Sequence, residues 1–178
     1  WMPYQNMLLP LMVFLQEIGG QFSAMAPGQA RFLQSWYWGS VFSQRYSSGS
    51  SDIMVGDCKA LAACAQGRPI DDRLFFASFG CQVRSPEDLL SYDKRGNAIY
   101  RGTLNLVNYA AGGLPAWTNG EPIGFNLESL EDHHIFPREY LKRTAGDLDS
   151  RLWDCVPNRT LIPRTLNKQV GAKPPSAY

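Results

Sequence analysis

The sequence predicts an α+β chain: a helical region over 1–113 packed against a small strand–strand–helix module over 114–178. Three observations predict it. Apolar residues recur at three- and four-residue steps in the first part. The character changes at "LPAWTNGEPIGFN". Beyond that point two short β-prone runs, separated by a long polar connection, precede one short helix-prone run. At 178 residues, 44% hydrophobic and 19% charged, the chain is long enough for one sizeable core or two small ones.

The elements follow in order. The most apolar run, "MLLPLMVFL" at 7–15, is interrupted by Pro10 and ended by Gln16 and Glu17. It is too short to span a bilayer and has no basic leader to make it a signal peptide. From Pro27 to Tyr46, Phe32, Leu33, Trp36, Tyr37, Val41 and Phe42 recur with helical spacing, which predicts one buried face. That spacing assigns the aromatics of "WYWGSVF" to the core rather than to a stacking platform for single-stranded nucleic acid. "SSGSSD" is a loop that caps a helix over about 52–65. In "RSPEDLL", Ser85 precedes Pro86, Glu87 and Asp88, a helix start in which proline needs no donor and the acids meet the positive dipole end. A further helix covers 97–110 and stops at Gly112-Gly113.

In the second part Asn119-Gly120 predicts a hairpin turn. "LEDHHIF" reads as a short strand, "PREYLKR" as a loop or one helical turn, and "RTLIP" as a second strand. "RTLNKQVG" is a short helix begun near Thr165 and ended by Gly171 and the prolines at 174 and 175.

Composition narrows the function. A formal net charge of +1 gives no general pull towards polyanions, so any such site needs local clustering. Residues 1–130 carry nine Lys/Arg against ten Asp/Glu, whereas 155–178 carry Arg159, Arg164, Lys168 and Lys173 and no acid. Cys58, Cys64, Cys81 and Cys155 form no CxxC pair, which argues against a structural zinc site and a disulfide framework and for a reducing cytoplasm. Cys155 is expected as buried packing. A chain beginning at Trp1 and ending at Tyr178 after "KPPSA" reads as a domain excised from something longer.

Both histidines of the chain, His133 and His134, are adjacent in "LEDHHIFPREY". On a strand, neighbouring side chains point to opposite faces, so two adjacent imidazoles do not chelate one ion without a bend. They suit different tasks: one as ligand to a divalent cation, the other as a general base that takes a proton from water.

"DHHIFP", then "PNRTLIP", then "LNKQVG" is similar to the HNH endonuclease motif of the ββα-metal fold. Asn158 lies 24 residues after His134, and Asn167 nine after Asn158. Together with "LQSWYWGSVFSQRYSSGS", the segments "DHHIFPREYL" and "NRTLIPRTLNKQVGAKPPSAY" resemble the C-terminal nuclease region of GmrSD-type modification-dependent restriction proteins and of phosphorothioate-linked antiphage effectors. The resemblance implies DNA as substrate and an N-terminal ParB-like NTPase or sensor region as partner, with no membrane.

Carried over by position, the resemblance implies His134 as general base, with His133 and Asn167 as metal ligands. It implies Asn158 as the residue that holds the base strand across the loop, and Lys168, Arg164 and Arg159 as phosphate contacts. Many relatives have Asp where His133 stands. Mg²⁺ or Mn²⁺ is the expected cation, and the neutral His-plus-Asn pair also admits Ni²⁺, Co²⁺ or Zn²⁺. Glu131 and Asp132 are neighbouring carboxylates that would ligate or orient. The expected activity is metal-dependent nicking or cleavage of DNA with little sequence preference. Two alternatives remain: a non-catalytic DNA-binding relic of the motif, and an RNase or toxin-type nuclease.

Overall fold

The computed structural model describes residues 1–113, 130–149, 151–171 and 173–177. The chain divides into two compact units, Trp1–Arg84 and Ser85–Tyr178. That boundary precedes the change of composition at 114, because the helix expected over 97–110 packs within the second unit. The hairpin turn expected at Asn119-Gly120 lies outside the described residues.

The first unit is helical. Helix α1 spans Leu8–Glu17. Pro10 falls in its first turn, where a missing N–H removes no intrahelical bond; the apolar run is therefore continued by the proline and not broken by it. Helix α2 spans Pro27–Phe42 and opens with the Gln29 side chain accepting from the Ala26 N–H at 2.8 Å. Helix α3 spans Ser50–Ala65 and α4 spans Asp72–Phe76, the latter capped by Asp71 accepting from the Leu74 N–H. Met7, Phe14, Phe32, Leu33, Trp36, Val41, Tyr46 and Leu61 form the core. The spacing of the α2 aromatics thus reports burial: Trp36 is fully buried. Gly39 is required by packing, since a Cβ there would stand 2.7 Å from the Phe79 ring.

The second unit mixes helix and sheet. The helix start expected at Ser85-Pro86 opens a 3₁₀ helix over Pro86–Ser91. Helix α5, Ala98–Ala110, is capped by Asn97, whose side chain accepts from the Ile99 N–H at 2.8 Å. It ends where Gly112 and Gly113 take positive φ, a conformation that costs other residues steric strain. Strand β1 (Leu130–His134) and strand β2 (Arg159–Pro163) pair antiparallel, with His133 opposite Thr160 and His134 opposite Arg159. Between them lie α6 (Arg138–Thr144), α7 (Arg151–Asp154) and a 3₁₀ turn at Val156–Asn158. Helix α8, Arg164–Val170, follows β2 directly and packs on both strands. Gly171, at φ 55°, ends it. Tyr100, Leu104, Val156 and Leu161 form the small core that ties α5 to the sheet.

All four cysteines are unpaired thiols, and Cys155 is buried. Among the described residues no helix is long and apolar enough to cross a membrane.

Candidate active site

The site is built on β1, and strand alternation organises it. Side chains of alternate residues share a face. Glu131 and His133 both reach Asn167 of α8, whereas Asp132 and His134 belong to a separate network with Arg159. The two imidazoles therefore have different surroundings although they are neighbours in sequence.

On the α8 face, His133 Nδ1 and Asn167 Oδ1 are hydrogen-bonded at 2.6 Å, and Asn167 Nδ2 donates to Glu131 Oε2 at 2.6 Å. His133 is buried, 6% exposed. Burial pushes its pKa below the usual 6.5, and the Arg159 charge adds to this; the bond to Asn167 and the charge of Asp132 oppose it. Arg164 lies with its Nε 3.4 Å from Glu131 Oε1.

On the other face, the His134 Nε2–H donates to Asp154 Oδ1 at 2.8 Å. Asp154 also accepts from Arg138 Nε at 3.0 Å and from Arg159 Nη2 at 2.7 Å. Arg159 continues to Asp132 Oδ1 at 3.3 Å, and Asp132 accepts from the Tyr100 hydroxyl and pairs with Arg95 Nε at 3.2 Å. Burial pushes the His134 pKa down, with the bond to Asp154 pulling the other way. For Asp154 burial pushes up, but the bonds from Arg138 and His134 and the nearby guanidinium charges outweigh it and leave the carboxyl below its ordinary range.

Asn158 holds the turn between β1 and α6. Its Oδ1 accepts from the Phe136 N–H at 2.8 Å, and its Nδ2 donates to the carbonyls of Phe136 at 3.1 Å and Trp153 at 2.7 Å. Its own carbonyl accepts from the Ile135 N–H at 3.0 Å. One buried carboxamide thus satisfies three backbone groups that end β1 and the 151–154 helix.

The structure brings together His133 with Asn167, and His134 with the turn held by Asn158. It places Arg159 elsewhere than expected: the guanidinium is about one-tenth exposed and bridges Asp132 and Asp154, so it braces carboxylates instead of facing solvent. Arg164 and Lys168 are exposed on α8. Asp154, Arg138 and Tyr100 belong to the site and were not found by sequence reasoning. Only Asp154 carried a hint, as an acid just ahead of Asn158 in "WDCVPN".

His133 Nδ1 and Asn167 Oδ1 converge from different elements, an imidazole nitrogen that ligates in its unprotonated form and an amide oxygen. Two such donors suit a divalent cation that takes its remaining ligands from water and substrate oxygens. Among the described residues no three His, Cys, Asp or Glu side chains are grouped to hold a metal ion.

No family model matches the chain, and no solved structure matches it. Among curated proteins, it is similar to the uncharacterized protein MJ0686 of Methanocaldococcus jannaschii, 27% identical over 157 residues. The match covers 82% of this chain, which spans about a quarter (24%) of that relative's length.

Proposed function

We propose that the chain is a metal-dependent endonuclease of the HNH, ββα-metal type that hydrolyses phosphodiester bonds in DNA with little sequence specificity. In this proposal it is the nuclease part of a larger cytoplasmic restriction or antiphage defence protein whose ParB-like region licenses cleavage. The observation that carries the enzymatic reading is the division of labour on β1: His133 meets Asn167 on one face, and His134 meets Asp154 on the other.

His134 serves as general base. The Asp154 carboxylate accepts the Nε2–H, which leaves Nδ1 as the proton acceptor, and it stabilises the imidazolium formed when water gives up its proton. Burial keeps the ring neutral near pH 7, the form a base requires. His133 and Asn167 would position a divalent ion that would supply Lewis-acid stabilisation of the charge developing on the phosphate and leaving oxygens. Arg164 and Lys168, on the helix that carries Asn167, approach the neighbouring phosphates. Contacts of this kind are blind to base identity.

Conversion of supercoiled plasmid, with Mg²⁺, Mn²⁺, Ni²⁺, Zn²⁺ or chelator, tests the proposal against His134→Ala at matched purity. The expected result is cation-dependent nicking that the chelator and the substitution each abolish. Equal cleavage by both proteins, or none from folded wild type under every cation, contradicts it.

A further inference from the structure

We propose that Glu131 is a positioning residue for the cation site, one that turns the Asn167 carboxamide so that its oxygen faces His133. The inference rests on the metal-dependent reading above. A carboxamide offers an oxygen and a nitrogen of nearly the same shape, and only the oxygen binds a cation, so its neighbours decide whether it can serve. His133 Nδ1 cannot decide, because an imidazole nitrogen donates or accepts according to its tautomer. A carboxylate only accepts. Glu131 Oε2 stands 2.6 Å from Asn167 Nδ2, which requires the NH₂ end there and sends Oδ1 to within 2.6 Å of His133 Nδ1.

The placement follows from the backbone. Glu131 and His133 are alternate residues of β1, so they share a face, and Asn167 spans the gap from α8. Arg164, three residues before Asn167 on the same helix, lies 3.4 Å from the second oxygen of Glu131. Asp132 has no such role: its side chain is fully buried on the opposite face, with both oxygens taken by Tyr100, Arg95 and Arg159. Glu131 acts through Asn167 and does not itself ligate.

Mn²⁺ binding to the 178-residue chain, followed by electron paramagnetic resonance of the free ion, separates the possibilities. The variants are Glu131→Ala and Glu131→Gln, with thermal midpoints as a check on folding. Glutamine keeps an oxygen that accepts from Asn167 Nδ2; alanine keeps none. The expected result is binding weakened about 10- to 100-fold by Glu131→Ala, the usual effect of losing an outer partner of a ligand, and largely restored by Glu131→Gln. Two outcomes overturn the inference while leaving the metal reading intact: both variants bind like wild type, or Glu131→Gln loses as much as Glu131→Ala, which would make Glu131 act by its charge. Wild type that binds no Mn²⁺ overturns the metal reading and this inference with it.

Discussion

Each unit of the molecule sets a carboxylate against arginine, and the two arrangements differ in their other donors: an indole and a phenol in the first unit, an imidazole and a second arginine in the second. In the first unit Asp57 is fully buried and accepts from Trp36 Nε1 at 2.8 Å, from Arg45 Nη2 at 2.8 Å, and from the Tyr46 hydroxyl. Arg45 is itself covered by the Phe79 ring, 4.3 Å from its centroid. None of these donors exchanges a proton near neutrality, and burial pushes the Tyr46 hydroxyl further up. In the second unit Asp154 accepts from two arginines and from His134, and it is about one-fifth exposed. Replacing a phenol or indole by an imidazole converts a saturated structural peg into support for a group that gains and loses a proton in the physiological range. A buried ion pair by itself is weak evidence of function; the identity of the remaining donor decides.

The contrast predicts where substitutions act. Asp57→Ala is expected to cost about 3–5 kcal/mol of stability, because it strands Arg45 in the interior; urea unfolding measures this, and a loss below about 1 kcal/mol would mean Asp57 is no structural peg. Asp154→Asn is expected to act on rate instead. An amide can turn either end to His134, so the tautomer is no longer set, and plasmid cleavage should fall by about 10²-fold, within the range of general-base contributions. Its urea midpoint should move far less than that of Asp57→Ala. Tyr100→Phe removes one hydrogen bond to the charged Asp132 at the far end of the network and should cost about 1.5–3 kcal/mol, with a smaller effect on cleavage than Asp154→Asn.

The smallest effect is on pH dependence. Burial lowers the pKa of both His133 and His134 from 6.5, so the folded chain binds fewer protons than the unfolded one as pH falls through that value. Stability should be full above about pH 6.5 and decline below it. Asp154, lowered in the folded state, adds a second decline as pH falls below its ordinary 3.8. The first unit has no histidine, so hydrogen exchange on acidification from pH 7.5 to 5.5 should loosen the second unit first; equal loosening of both would blunt the comparison.

Much of the site could be read from residue order. Period-two alternation separates His133 from His134 whatever the rest of the chain does, and a helix placed directly after a paired strand returns Asn167 to the sheet. The strand and helix bounds near 130–134, 159–163 and 164–170 follow from the same patterns. Arg159 reads as a phosphate contact because 155–178 contains no acid; Asp132 and Asp154, which pair with it, precede that segment and reach it only through strand pairing and the 151–154 helix. Asp154 was missed for the same reason: its approach to His134 is a tertiary event with no periodicity. The division at Arg84/Ser85 differs from the boundary expected at 113/114 because helix 98–110 resembles the helices before it, and its partners Val156 and Leu161 lie far along the chain.

In the proposed mechanism the adjacent imidazoles do separate work. Mn²⁺ binding and plasmid cleavage, both measured on His133→Ala and His134→Ala, test it most directly. The expected result is that His134→Ala binds Mn²⁺ as wild type does yet does not cleave, whereas His133→Ala loses both binding and cleavage. Equal loss of Mn²⁺ binding in the two variants would mean that the pair chelates one ion, and would rule out separate tasks for the two rings.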